Sequence, residues 1–103
     1  MELTYETERM RKLCTDNRAA TRNLTAPVAR AMATRIKQLE NVDSLAELVG
    51  TGQPGRWHEL TADRAGCVAA RLTGNWRLVV RAGDDRQLLD SGIALIVSIE
   101  DYH

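Results

Sequence analysis

A chain of 103 residues makes one domain, 1–103, and is too short to divide into two. Its 44% apolar and 27% charged residues exclude a disordered tail, and its longest apolar run, Ile93-Ala94-Leu95-Ile96-Val97, excludes a membrane-crossing helix of ~20 residues. The 14 basic and 14 acidic residues cancel, so composition does not announce a strongly basic nucleic-acid binder.

Leu3-Thr4-Tyr5 reads as a short strand, and residues 6–14 read as a short helix. The acidic start, Met1 to Glu6, lacks the apolar stretch of a secretory signal, so the cytoplasm is the expected location. Residues 23–39 give the clearest helix. Thr25 is placed to cap it, Pro27 falls in its first turn, and Val28, Met32, Ile36 and Leu39 form one apolar stripe. Between Asp16 and Glu40 lie Arg18, Arg22, Arg30, Arg35 and Lys37 with no acid among them. That segment is either a solvated helix face or a docking surface for phosphates or an acidic protein. Asp43 is expected to cap a second short helix with Leu45, Leu48 and Val49 on one side, ended by the glycines of residues 50–55.

Beyond Gly55 the pattern becomes that of strands. Residues 56–60 form a short one and 61–66 a turn. Residues 67–72 and 76–81 flank a hairpin connection at Thr73-Gly74-Asn75, and 82–92 is a polar loop. Residues 92–100 are apolar on both faces, the mark of a strand buried on both sides. The fold expected is α+β: an N-terminal strand and two to three helices packed on one face of a mostly antiparallel sheet of four to five strands. Cys14 and Cys67 have neither metal-ligand spacing nor a disulfide framework, and both read as reduced core residues.

Both histidines sit at element ends. His58 precedes the 61–66 turn, and His103 closes Glu100-Asp101-Tyr102-His103, where two carboxylates, a phenol and an imidazole meet at a sheet rim. An imidazole near pKa ~6.5 serves as acid or base at neutral pH. Trp57 and Trp76 read as packing residues, though Trp76, like Arg64 and Arg71, is also a candidate substrate contact. Asp63-Arg64 reads as a turn with its own ion pair, while Glu59, Glu100, Asp84, Asp85 and Asp90 read as solvated acids.

Three segments carry a resemblance: Trp57-His58-Glu59-Leu60-Thr61-Ala62-Asp63-Arg64-Ala65-Gly66, Gly74-Asn75-Trp76-Arg77-Leu78-Val79-Val80, and Ile99-Glu100-Asp101-Tyr102-His103. In order and spacing the chain resembles the HigB-like branch of the RelE/ParE toxin superfamily, with Glu-Asp-Tyr-His as the most specific part. The resemblance implies a RelE-like fold and a toxin of a type II toxin–antitoxin pair. Such a toxin enters the ribosomal A site and cuts mRNA there, with no metal or other cofactor. It also implies a helix-turn-helix, HigA-like antitoxin as partner, with operator DNA reached only through that antitoxin. Residue by residue, it points to His58, Arg77, Asp101, Tyr102 and His103 as catalytic. Thr61 and Ala62 stand where the family's turn has lysine and glycine.

The chemistry implied is attack by a 2′-OH on its own phosphate. A base takes the proton, cations meet the growing charge, and an acid protonates the leaving oxygen. Two histidines would divide acid and base roles, Asp101 would orient one of them, Arg77 would stabilise charge, and Tyr102 would stack on a base. Two other readings stay open: a ParE-type toxin acting on DNA gyrase, and a decayed toxin that only binds its antitoxin and co-represses their operon.

Overall fold

A computed structural model describes residues 1–102. In chain order the elements are β1 (Glu2–Tyr5), α1 (Glu8–Thr15), α2 (Asn17–Asn23), α3 (Ala26–Glu40), β2 (His58–Glu59), β3 (Cys67–Arg71), β4 (Trp76–Ala82) and β5 (Ile93–Asp101), with 3-10 turns at Leu45–Glu47, Ala62–Arg64 and Leu88–Asp90. The α+β architecture is as expected, with three helices and five strands.

Each helix starts at a side-chain oxygen that satisfies otherwise unpaired N–H groups. The Thr7 hydroxyl accepts from Met10 and starts α1 two residues later than its sequence suggests, and Thr25 accepts from Val28 at the head of α3. Asp16 accepts from Arg18 and Ala19 and starts α2, a helix with no counterpart in the sequence reading. The 23–39 segment is therefore helical only from Ala26, after a break at Leu24 and Thr25. Ser44, not Asp43, heads the next turn. The Glu47 carboxylate accepts from the N–H groups of Asp43 and Ser44, and only one 3-10 turn forms, anchored by fully buried Leu45.

The sheet order is β1-β5-β4-β3-β2, with β1 parallel to β5 and every other pairing antiparallel. Val68 and Ala70 of β3, Leu78 and Val80 of β4, and Ala94 and Ile96 of β5 join Met10, Leu13, Val28, Met32, Ile36 and Leu39 in one core. The helices thus seal one face of the sheet. Trp57 is buried as expected, its indole N–H donating to the Pro54 carbonyl at 3.1 Å. The 56–60 strand shrinks to His58–Glu59 because Arg56 has a left-handed φ of 49°. β5 is not buried on both sides: Ala94 and Ile96 are buried, whereas Ile93, Leu95 and Val97 are half-buried, since no second layer covers the other face. Cys14 and Cys67 are free thiols, half-buried rather than buried, and burial pushes the Cys14 thiol up to about 12.

The pairing of β4 with β5 contains an irregularity that sets the site. Val80 pairs with Ile96 but Val79 pairs with Ser98, so β5 carries one extra residue there. In a regular strand Ile96, Ser98 and Glu100 would share a face. The bulge reverses the alternation, leaving Ile96 and Ile99 on the helix side and turning Ser98 and Glu100 to the open side.

Ala62 holds a φ of 56°, a conformation that glycine adopts without the steric cost of a Cβ. Ala62→Gly should therefore stabilise the domain by about 1 kcal/mol and raise Tm by roughly 4 °C or more. Thermal unfolding followed by circular dichroism measures this.

Candidate functional site

The face left open by the helices collects the chemistry. His58 pairs with Ala69, Ala69 with Val79, and Val79 with Ser98, forming one row across four strands. Arg71 pairs with Arg77, and Arg77 with Glu100, forming a parallel row beside it. Adjacent strands lie about 4.8 Å apart and the two rows are two residues, about 7 Å, apart, so the backbones at His58 and Arg77 are about 12 Å apart on the same face.

His58 is positioned by the loop before it. Gly55 has a φ of 103°, and a Cβ there would lie 2.8 Å from Arg35 Nη1 and 3.0 Å from Trp57 Nε1. The Gly55 carbonyl accepts from the Arg71 N–H at 2.6 Å, which ties the loop to β3. His58 Nδ1 stands 2.8 Å from the Arg56 carbonyl, and the ring is exposed. A carbonyl only accepts, so Nδ1 is the donor there, and in the neutral ring this leaves Nε2 as the acceptor, the tautomer a general base needs. The sequence reading gave this orienting role to Asp101; at His58 the Arg56 carbonyl fills it. Asp101 pairs in register with Trp76 at the end of β5, out of the Glu100 row. His103 lies outside the described residues.

Arg77 donates to the Trp76 carbonyl at 3.1 Å, and its Cζ lies 5.9 Å from the centroid of the Tyr102 ring, a cation–π contact. The Tyr102 N–H donates to the Asn75 carbonyl at 2.9 Å, which carries the β4–β5 pairing past its last register pair, and the residue is 39% exposed. Arg71 stands directly opposite Arg77. Like charges in that relation repel, and an anion bound between them relieves the repulsion. Trp76 alternates to the helix side, where it is half-buried against the core, so it is not part of this cluster.

Arg64 reaches the same face, but its partner is not Asp63. Its guanidinium forks onto both carboxylate oxygens of Glu100 at 3.0 and 2.7 Å, and the Ser98 hydroxyl donates to the same carboxylate. Glu100 is therefore an ion-paired, half-buried acid rather than a solvated one. The Arg64 hydrogen bonds, helped by Ser98, hold its carboxyl below the ordinary carboxylate range, and the pairing raises the Arg64 guanidinium in turn. Arg56, Ser98 and Glu100 are the members of the site that the sequence reading missed. Regular alternation would have put Ser98 and Glu100 on the Ile96 face, so the sequence carried no signal for their placement, and none for the carbonyl of Arg56. Among the described residues no group of three or more His, Cys, Asp or Glu could hold a metal ion.

No family model and no curated protein matches the sequence. Solved structures do match. A YoeB/ParE toxin from Agrobacterium tumefaciens superposes with a TM-score of 0.61 at 16% identity over 100% of both chains. The YoeB dimer from Staphylococcus aureus superposes with a TM-score of 0.62 at 14% identity, over 100% of this chain and 97% of that one. The chain has the RelE/YoeB fold. At these identities the likeness is one of architecture, and the chemistry rests on the residues themselves.

The Arg64–Glu100 pair predicts a pH signature. Its carboxyl lies below an unfolded value near 4.5, so the stability it contributes is present above that pH and is lost as pH falls through the folded value. Glu100→Gln should therefore be less stable than wild type at pH 7, with the gap closing below pH ~4.5. Urea unfolding at several pH values measures both.

Proposed function

We propose that this chain is the toxin of a type II toxin–antitoxin pair, HigB-like in its site, and that it cleaves mRNA in the ribosomal A site. The observation that supports this best is an exposed imidazole, held through Nδ1 by the Arg56 carbonyl, on the same sheet face as a cross-strand arginine pair and a half-exposed tyrosine. The RelE/YoeB fold adds to it.

On this reading His58 Nε2 takes the 2′-OH proton, and O2′ attacks phosphorus. Arg77 and Arg71 meet the charge that grows on the phosphorane oxygens. The P–O5′ bond breaks and the leaving oxygen takes a proton from an acid, the role proposed for His103, with Asp101 proposed to orient it. The products are a 2′,3′-cyclic phosphate and a 5′-OH. Tyr102 offers its exposed ring to a splayed base. A chain of zero net charge binds free RNA weakly, so the ribosome supplies the substrate already positioned, which places the protein in the cytoplasm.

The antitoxin's contact belongs on the other side of the molecule. Between α2 and α3 runs a groove of about 590 Å³ lined by Ala26, Ala29, Ala33 and Arg30 with the polar Asn17, Thr21 and Thr34, and Arg18 and Arg22 line the hollow next to it. Its alanines and its acid-free lining beside Arg18, Arg22 and Arg30 suit an acidic amphipathic segment of a helix-turn-helix, HigA-like partner, through which operator DNA would be reached.

Induced expression with mapping of mRNA 5′ ends tests the activity. His58→Ala should reduce cleavage ~10²–10⁴-fold and Arg77→Ala ~10²–10³-fold, with the fold retained. A folded His58→Ala protein that cuts at the wild-type rate contradicts the assignment, and growth arrest with intact mRNA points instead to a gyrase-directed toxin. Arg18→Glu with Arg22→Glu should leave cleavage intact while removing rescue by the co-expressed antitoxin. Undiminished rescue would move the contact elsewhere.

A further inference from the structure

We propose that Glu100 is a built-in competitor for RNA phosphate at Arg64, so that the protein discriminates against RNA not already held in place. The inference rests on the reading of the open face as an RNA site.

A guanidinium fork matches a carboxylate and a phosphate in the same bidentate geometry, so what occupies one excludes the other. In this structure the fork of Arg64 is filled by Glu100, at 3.0 and 2.7 Å. The contact is long-range. Arg64 belongs to the turn entering β3, and Glu100 lies on β5, two strands away. The pair spans the open face past Ala69 and Val79, which have 0% exposure although they sit on this face and outside the helix-side core. Glu100 is also the direct cross-strand neighbour of Arg77. Its charge therefore stands beside the residues that would hold the reacting phosphate while it withholds a third arginine from it.

Nothing about the pair is sealed. The Arg64 and Glu100 side chains are 35% and 28% exposed, and the Ser98 hydroxyl remains as a partner for the carboxylate when Arg64 leaves. A phosphate arriving at Arg64 exchanges one anion for another and sends Glu100 to Ser98 and water. Dilute RNA gains little from such an exchange. RNA held by the ribosome at high effective concentration drives it.

Binding of a non-cleavable, 2′-deoxy single-stranded oligonucleotide, read by fluorescence anisotropy over a salt series, tests this apart from cleavage. Glu100→Gln should bind roughly tenfold tighter than wild type, the worth of about one charge-assisted contact. Its log–log salt slope should steepen by about 0.7, one phosphate of a single strand. Combined with Arg64→Ala, the gain should disappear. Unchanged affinity in folded Glu100→Gln overturns the proposal. So does a gain that survives Arg64→Ala, which reports charge repulsion alone. Should the variant fail to fold, the Arg64 Nε–H resonance of wild type must shift as the oligonucleotide saturates, and an unmoved resonance overturns the exchange. If the oligonucleotide results hold but mRNA stays uncut, cleavage fails and the competition stands; if mRNA is cut but Glu100→Gln gains nothing, only the competition fails.

Discussion

A sheet covered on one side only must put its chemistry on the other, and the alternation of a strand decides which residues those are. Leu78 and Val80 go to the helices, so Arg77 and Val79 go to the open face; Val68 and Ala70 go in, so Ala69 and Arg71 go out. A slip of β4 by one residue against β3 would turn Arg77 into the core and Leu78 and Val80 out of it. The site is therefore held by the same packing that holds the fold. The bulge at Val97 breaks simple alternation in β5, and it lets the strand contribute Ile96 and Ile99 to the helix side and the Ser98–Glu100 pair to the open side.

Electrostatically the open face is neither a basic patch nor a neutral one. Arg71 and Arg77 oppose each other, while Arg64 is satisfied by Glu100, and Tyr102 shields one side of Arg77. Close arginines without an acid between them favour an anion of small size and definite position. The zero net charge limits attraction at a distance, so selectivity comes from geometry at the site. The helix layer carries its own excess of arginine, Arg18, Arg22 and Arg30, away from that face.

Much of the fold was legible because it rests on local rules. The stripe Val28, Met32, Ile36, Leu39 announced α3, and the Gly74 turn announced the β3–β4 hairpin. Helix α2 was hidden because Asn17–Asn23 turns only two alanines inward, and alanine leaves almost no apolar period; the Asp16 cap was its single signal. Strict alternation with Leu78 already assigned Trp76 to the helix side, although an aromatic next to Arg77 invites a substrate role. The placement of Glu100 depended on a bulge that no local pattern marks, and its pairing with Arg64 joins residues 36 apart in the chain. Ion pairs at that separation follow from tertiary geometry and are invisible before the sheet is assembled.

The central claim is that RNA lies on the open sheet face and not on the arginine-rich helices. Backbone amide resonances recorded while a non-cleavable single-stranded oligonucleotide is titrated in test it most directly. The account predicts shifts at His58, Ala69, Arg71, Arg77, Glu100 and Tyr102 with α2 and α3 unmoved. Shifts confined to Arg18, Arg22 and Arg30, with the sheet face silent, would contradict it.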